Sequence, residues 1–147
     1  MLPMGDVIKY LQQAALCNAH INNLLEDAQR LRELMRQITA TLKQDVVSRS
    51  SNQDKIAEAV AKLVDLESEI NAAVDSYIDK RNEIASTIAK ITVPKQVAVL
   101  NKLYLEEKTW PKIAEEMHMS ERNAQYIHGR ALQSVRRVLT QQNEKFS

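Results

Sequence analysis

The chain has 147 residues, of which 44% are hydrophobic, 27% charged and only 4% aromatic, with 2 glycines and 3 prolines. All-β and α/β folds of this length need more turn glycines and more strand-forming residues, so the composition predicts an all-α protein. Two glycines are too few for a glycine-rich phosphate loop, and a single cysteine cannot form an internal disulfide. The longest apolar runs are also far shorter than the ~18 residues of a membrane span. We therefore expect a cytosolic protein with no membrane segment and no cofactor.

Two long helices are predicted from coiled-coil periodicity in the first ninety residues. Steps of three and four residues recur through Val7, Tyr10, Ala14, Cys17, Ile21, Leu24, Ala28, Leu31, Met35, Ile38 and Leu42. A second series runs through Ile56, Val60, Leu63, Glu67, Ile70, Val74, Tyr77, Arg81, Ile84, Ile88 and Ile91. Such series form the apolar seam of a coiled coil. Residues 43–53 lose the period, so we predict a mobile hairpin tip there and start the second helix at Ser51.

Similar lengths and a short connection favour an antiparallel two-helix coiled-coil hairpin over residues 1–93. The register that keeps the polar tip out of the seam sets Leu42 opposite Ile56 and Leu31 opposite Glu67. Further apolar residues flank both seams, so the apolar face is wider than one partner helix covers; they are Leu11, Leu25, Leu34, Val64, Leu66 and Ile78. We expect a homo-oligomer, with a dimer of two hairpins favoured, unless the C-terminal part folds over this face.

Pro94 marks the predicted start of a second domain, residues 94–147. Residues 1–93 carry 11 Lys+Arg against 13 Asp+Glu, whereas residues 94–147 carry 9 against 6, which suits an anionic partner. Thr92 is the predicted N-cap of a helix that starts at Pro94. Thr109 and Ser120 are the predicted N-caps of two further helices.

The last two helices match a helix-turn-helix from Trp110 to Gly129, because a short helix, a tight turn and a longer helix follow one another. Small or apolar residues occupy the positions that this motif buries, namely Ala114, Met117, Ala124 and Ile127. His118 stands where the turn usually has glycine, which predicts a positive φ with some strain. Gly129 inside a helix costs about 1 kcal/mol relative to alanine, a cost that close packing or close DNA approach would explain.

Residues 104–120 (YLEEKTWPKIAEEMHMS), 127–132 (IHGRAL) and 51–67 (SNQDKIAEAVAKLVDLE) resemble a family of small phage and prophage proteins from Gram-positive bacteria. These are similar to the RinA/ArpU late-transcription regulators, whose helix-turn-helix resembles region four of bacterial sigma factors. The resemblance covers about residues 30–140. It implies a phage-encoded transcriptional regulator, an activator of late packaging and morphogenesis genes, in the bacterial host's cytoplasm. Host RNA polymerase is a further candidate partner.

A recognition helix inserts its first turns into the major groove of double-stranded DNA. The predicted base-facing residues are Ser120, Glu121, Arg122, Gln125 and Tyr126, with Arg122 suited to guanine, Gln125 to adenine and Glu121 to cytosine. The predicted phosphate-binding residues are Lys112, Arg130, Arg136 and Arg137. Arg122 and Gln125 would also fit an ordinary solvated face, and Tyr126 would also fit packing on its own helix. Trp110 is interpreted as the hydrophobic plug of the small domain.

Nothing in the sequence indicates catalysis. His20, His118 and His128 lack the spacing and the cysteine or carboxylate company of a zinc site, and the scattered acidic residues are typical of solvated helix faces. We therefore expect neither enzymatic activity nor a metal. Two alternative functions stay open: a small terminase subunit for DNA packaging, in which the DNA-binding part usually comes first, and a coiled-coil adaptor that binds RNA polymerase.

Overall fold

The computed structural model describes residues 2–44 and 49–145, and the regular elements in these ranges are all helices. They are α1 (Met4–Gln44), α2 (Arg49–Ala89), α3 (Pro94–Leu100) with a π-helical turn (Asn101–Leu105), α4 (Trp110–Glu116) and α5 (Glu121–Lys145). The predicted fold, a long antiparallel helical hairpin followed by a small helical domain, is confirmed. Within the described ranges, no helix combines the length and hydropathy that crossing a membrane requires.

The predicted hairpin tip is helical at both of its ends. α1 continues to Gln44 and α2 already begins at Arg49, so the predicted helix start at Ser51 is wrong. Residues 45–48 lie outside the described residues. Each residue added to an existing helix gains a backbone hydrogen bond without a new nucleation cost, which favours extension into polar sequence.

The chain divides into two compact units that do not follow the predicted division at Pro94. One unit, here called the five-helix unit, comprises Met1–Leu16 and Tyr77–Ser147; the other, the hairpin unit, comprises Cys17–Ser76. The five-helix unit combines α3, α4 and α5 with the N-terminal turns of α1 and the C-terminal turns of α2, because one hydrophobic cluster draws residues from all of these segments except α4.

In the hairpin unit, the predicted seam of α1 is confirmed. Ile21, Leu24 and Ala28 are buried, and the later seam residues of α1 are half-buried. The antiparallel direction follows from two grooves: Cys17 shares one with residues 69–76, and Ile38 shares another with residues 55–62.

The predicted seam of α2 is wrong at two positions, Val60 and Glu67, and its other residues are half-buried or buried. Ile56, Leu63 and Ile70 are half-buried as predicted, but Val60 is 43% exposed and Glu67 is exposed. Ala59 is buried instead, at 4% exposure, and Leu66 is half-buried. Between Ile56 and Ile70 the seam therefore runs in steps of three and then four residues, where four and then three were predicted. This removes Glu67 from the interface and with it the predicted pairing of Glu67 with Leu31. A small alanine lets the two helices approach closely, and this favours Ala59 over Val60.

The five-helix unit has a continuous core built from both ends of the hairpin and from the C-terminal helices. Its buried residues are Val7, Leu11, Ala14, Ile84, Ile88, Ile91, Leu100, Tyr104, Leu105, Ala131, Leu132 and Val135. The hydroxyl of Tyr10 and Oγ1 of Thr87 form a hydrogen bond of 2.8 Å between α1 and α2. Leu11, an apolar residue beside the predicted seam, is thus covered within the chain.

Helix α3 starts at Pro94 as predicted, but its N-cap is Val93 and not Thr92. Val93 is extended (φ −94°, ψ 110°), as expected before proline, and it contributes no side-chain cap. The helix then widens into the π turn, where the amide of Glu106 donates to the carbonyl of Asn101 at 2.9 Å. This wider turn places Leu100 and Leu105, five residues apart, in the same core.

Candidate nucleic-acid interface

Helices α4 and α5 begin at the two predicted caps. Thr109 Oγ1 accepts a hydrogen bond from the amide of Lys112 at 3.4 Å, and Ser120 Oγ accepts one from the amide of Asn123 at 3.1 Å. Each bond satisfies an amide that the first turn of a helix leaves without a partner. The sequence prediction of where both helices start is therefore confirmed.

The turn between α4 and α5 has the strained residue that the sequence predicts. His118 has a φ of 55°, the left-handed conformation that glycine usually supplies. The amide of Met119 donates to the carbonyl of Ala114 at 3.0 Å, and the amide of His118 donates to that of Glu115 at 3.2 Å. This pair of bonds is a Schellman motif, which ends α4 sharply and lets α5 start three residues after His118.

A group of ion pairs attaches α4 to the segment that precedes it. Glu116 Oε1 lies 2.6 Å from Nζ of Lys102 in the π turn and 2.8 Å from Nζ of Lys108. Hydrogen bonds from Lys102 and then Lys108 lower the pKa of Glu116 to about 2. Lys108 also pairs with Glu106 at 3.2 Å. Two lysines from the segment that precedes α4, Lys102 and Lys108, therefore hold the C-terminal end of this helix.

Aromatic contacts hold the start of α4 against α5. The rings of Trp110 and His128 meet edge-on with centroids 5.3 Å apart, and His128 Nε2 lies 2.7 Å from the hydroxyl of Tyr104. Burial raises the pKa of Tyr104 to about 12 and lowers the pKa of His128, which favours the neutral form of His128. These contacts support the interpretation of Trp110 as part of the core packing.

Helix α5 presents one exposed stripe, here called the α5 stripe, along the side opposite its buried residues. Its members recur every three or four residues and therefore lie on one helix face; they are Arg122, Tyr126, Gly129, Gln133 and Arg137, with Arg130 beside them. Arg130 Nη1 donates to the hydroxyl of Tyr126 at 3.1 Å, and its guanidinium lies 5.9 Å from the centre of the Tyr126 ring. Three cations, an amide and an aromatic hydroxyl thus share a solvent-exposed surface.

The predicted site residues differ in where they lie and in how exposed they are. Glu121, Arg122, Gln125 and the 62% exposed Tyr126 lie in the first turns of α5 with exposed side chains. Ser120 is exposed, but its hydroxyl is used as the N-cap. Lys112 lies on α4, 3.9 Å from Glu115. Arg130 and Arg137 belong to the α5 stripe or lie beside it, whereas Arg136 is half-buried on the flank of the helix.

Two glutamines that were not predicted from the sequence line a pocket beside this surface. Gln133 belongs to the α5 stripe, and Gln96 of α3 lines a pocket with it. The helical spacing from Arg122 and Arg137 would have identified Gln133. Gln96 comes from another helix, so only the packing of α3 on α5 brings it here.

The fold is that of an all-α protein in which a short helix, a tight turn and a long helix follow one another. The exposed side of the long helix carries cationic and amide side chains. The chain belongs to the family described as "Protein of unknown function (DUF1492)", whose model matches residues 38–136. No curated protein and no solved structure matches the chain. In the described part of the chain, His, Cys, Asp and Glu side chains form no group of three or more that could hold a metal ion.

Proposed function

We propose that this protein is a transcriptional regulator that binds a specific sequence of double-stranded DNA through α4 and α5. The observation that carries the proposal is the α5 stripe. It lies on the exposed side of a helix that follows a short helix and a tight turn, the arrangement of a helix-turn-helix. Arginine suits guanine in the major groove, and glutamine suits adenine. Arg122 and Gln125 lie within the first turns of α5, the part that such proteins insert into the groove.

The finer identity in this proposal rests on the resemblance of residues 51–67, 104–120 and 127–132 to small phage proteins similar to the RinA/ArpU regulators. On this basis the protein is a phage-encoded activator of late genes that works in the cytoplasm of a bacterial host. It acts by binding and not by catalysis, and it uses no metal or cofactor. Host RNA polymerase is its proposed protein partner, since region four of sigma factors contacts that enzyme.

A second copy of the chain is the proposed partner of the hairpin unit. Among the described residues of this unit, four large apolar side chains are between 43% and 59% exposed: Leu25, Leu34, Val60 and Val64. A dimer would bury such side chains and would bring two copies of α5 to one duplex, so that the second contact becomes intramolecular. Half-sites would then recur at about 10 base pairs or a multiple of it.

The test is selection of bound sequences from a randomised duplex, followed by fluorescence anisotropy on the selected site and on random DNA. Each neutralised phosphate contributes about 0.9 to the slope of log affinity against log salt, so a dimer should give a slope of at least about 5. Arg122→Ala should weaken binding, whereas Arg32→Ala, which removes the same charge from the exposed side of α1, should not. A flat salt response with no enriched sequence would refute DNA binding.

Sedimentation of the full chain distinguishes the remaining alternatives. A dimer supports the proposal, whereas a ring of eight or more subunits would favour the small terminase. Salt-insensitive capture of RNA polymerase by a chain without affinity for DNA would favour the adaptor.

A further inference from the structure

A polar pocket of about 270 Å³ lies between α3 and α5. It is lined by Gln96, Arg130, Gln133 and Arg137. Gln96 is only 8% exposed, and its Oε1 accepts a hydrogen bond from Ser134 Oγ at 2.6 Å. Burying a glutamine costs free energy unless its polar atoms have partners, so this residue is built into the pocket wall by a specific bond.

Both guanidinium groups of the pocket are oriented by a neighbouring hydroxyl. Arg137 Nη2 donates to Ser134 Oγ at 3.5 Å, and Arg130 Nη1 donates to the hydroxyl of Tyr126 at 3.1 Å. A guanidinium carries five N–H donors, so each arginine keeps several donors beyond the one that orients it. Among the described residues that line the pocket there is no carboxylate, and the pocket therefore concentrates donors and positive charge.

We propose that this pocket binds one phosphate group of a DNA backbone, an inference that rests on the proposed function. Arg130 and Arg137 follow Arg122 by eight and fifteen residues, which places them ~12 and ~22 Å further along the helix. The major groove is about 12 Å wide, so when the first turn of α5 lies in the groove, Arg130 and Arg137 lie outside it, on the side where the backbone phosphates are. Paired guanidinium groups bind phosphate oxygens by charge-assisted hydrogen bonds.

The test uses variants that change the pocket and leave the first turns of α5 intact. Gln133→Glu places a carboxylate in the pocket, and Arg137→Gln removes one guanidinium. Gln12→Glu makes the same charge change on the exposed side of α1 and is the matched control. Both pocket variants should bind the selected duplex and random DNA more weakly by a similar factor, about eightfold at 0.1 M salt for each phosphate that the variant no longer neutralises. The salt slope should fall by about 0.9 per pocket, and the control should match the parent protein.

A duplex with single neutral methylphosphonate substitutions locates the phosphate. One position in each half-site should weaken binding of the parent protein, and Arg137→Gln should be insensitive at that same position. If the parent protein binds DNA but the pocket variants keep its salt slope and its methylphosphonate profile, the proposal that the pocket binds phosphate is refuted and the proposed function stands. If the parent protein does not bind DNA at all, both are refuted.

Discussion

Replacing Gly129 by alanine tests why a helix carries a glycine on its exposed side. Gly129 is not among residues with positive φ, and a Cβ built on it meets no atom within 4 Å. Neither the backbone conformation nor packing therefore requires glycine at this position. Of the two explanations given above, close packing is removed and close approach to DNA is left. Alanine should stabilise α5 by about 0.5–1 kcal/mol and raise the melting temperature by roughly 2–8 °C.

The same change should weaken DNA binding if the proposed function is right. Gly129 lies in the α5 stripe, three residues after Tyr126 and four before Gln133. A methyl group adds a bond of about 1.5 Å to the helix surface. Hydrogen bonds to DNA need distances of about 2.7–3.2 Å, so an outward shift of this size would break those made by neighbouring stripe residues. We expect at least a tenfold loss of affinity, which corresponds to about 1.4 kcal/mol.

The assay pairs thermal unfolding with fluorescence anisotropy on the selected duplex. Gly5→Ala is the matched control, because Gly5 is exposed in the first turn of α1 and its added Cβ also meets no atom within 4 Å. It should leave DNA affinity unchanged. A destabilised Gly129→Ala would show that the space around Gly129 is wrongly inferred. A stabilised variant with full affinity would remove close DNA approach as the reason for the glycine.

Four further predictions concern specificity, pH dependence and folding. Arg122→Ala should cost roughly 1–3 kcal/mol on the selected duplex and much less on random DNA, and equal losses in anisotropy would place the base-contacting side elsewhere. The stability supplied by Glu116 should be complete above pH 4.5 and lost as the pH falls toward about 2, so Glu116→Gln should lower the melting temperature at pH 7 and have little effect near pH 2. Because burial lowers the pKa of His128 below its ordinary 6.5, the unfolded chain takes up the proton first. Stability should therefore fall as the pH drops below 6.5, and His128→Gln should lose this part of the pH profile. A fragment of residues 94–147 should lack a cooperative thermal transition by circular dichroism, and a sharp one would contradict the shared core.

The hairpin shows which parts of a coiled coil can be predicted from sequence. The seam of α1 was predictable because bulky apolar residues recur in it without a charged member. On α2 the apolar series is ambiguous, since both Ala59 and Val60 follow Ile56 at an allowed step. Hydropathy favours the valine, but it is the smaller Ala59 that is buried, and Val60 is 43% exposed. Periodicity alone does not decide which of two adjacent residues faces the partner helix.

The helix starts in the candidate site were predictable because capping is local. Thr109 and Ser120 act within three residues, and the φ of His118 follows from the turn that it occupies. The π turn was not predictable, because a shift of the backbone hydrogen bonds by one residue has no compositional mark. The position of Gln96 was not predictable either, since it depends on how two helices pack.

The shared core gives the hairpin a part in positioning α5. Ala131, Leu132 and Val135 form the buried side of that helix, and they belong to the same cluster as Leu11 of α1 and Ile88 of α2. The α5 stripe lies on the opposite side of the same helix, so its direction depends on residues that lie more than thirty positions earlier in the chain. Contacts at the ends of the hairpin therefore contribute to the proposed DNA-binding surface without touching DNA. The N-terminal turns of α1 and the C-terminal turns of α2 are therefore a structural part of the unit that would bind DNA, and not only a connection to a dimerisation element.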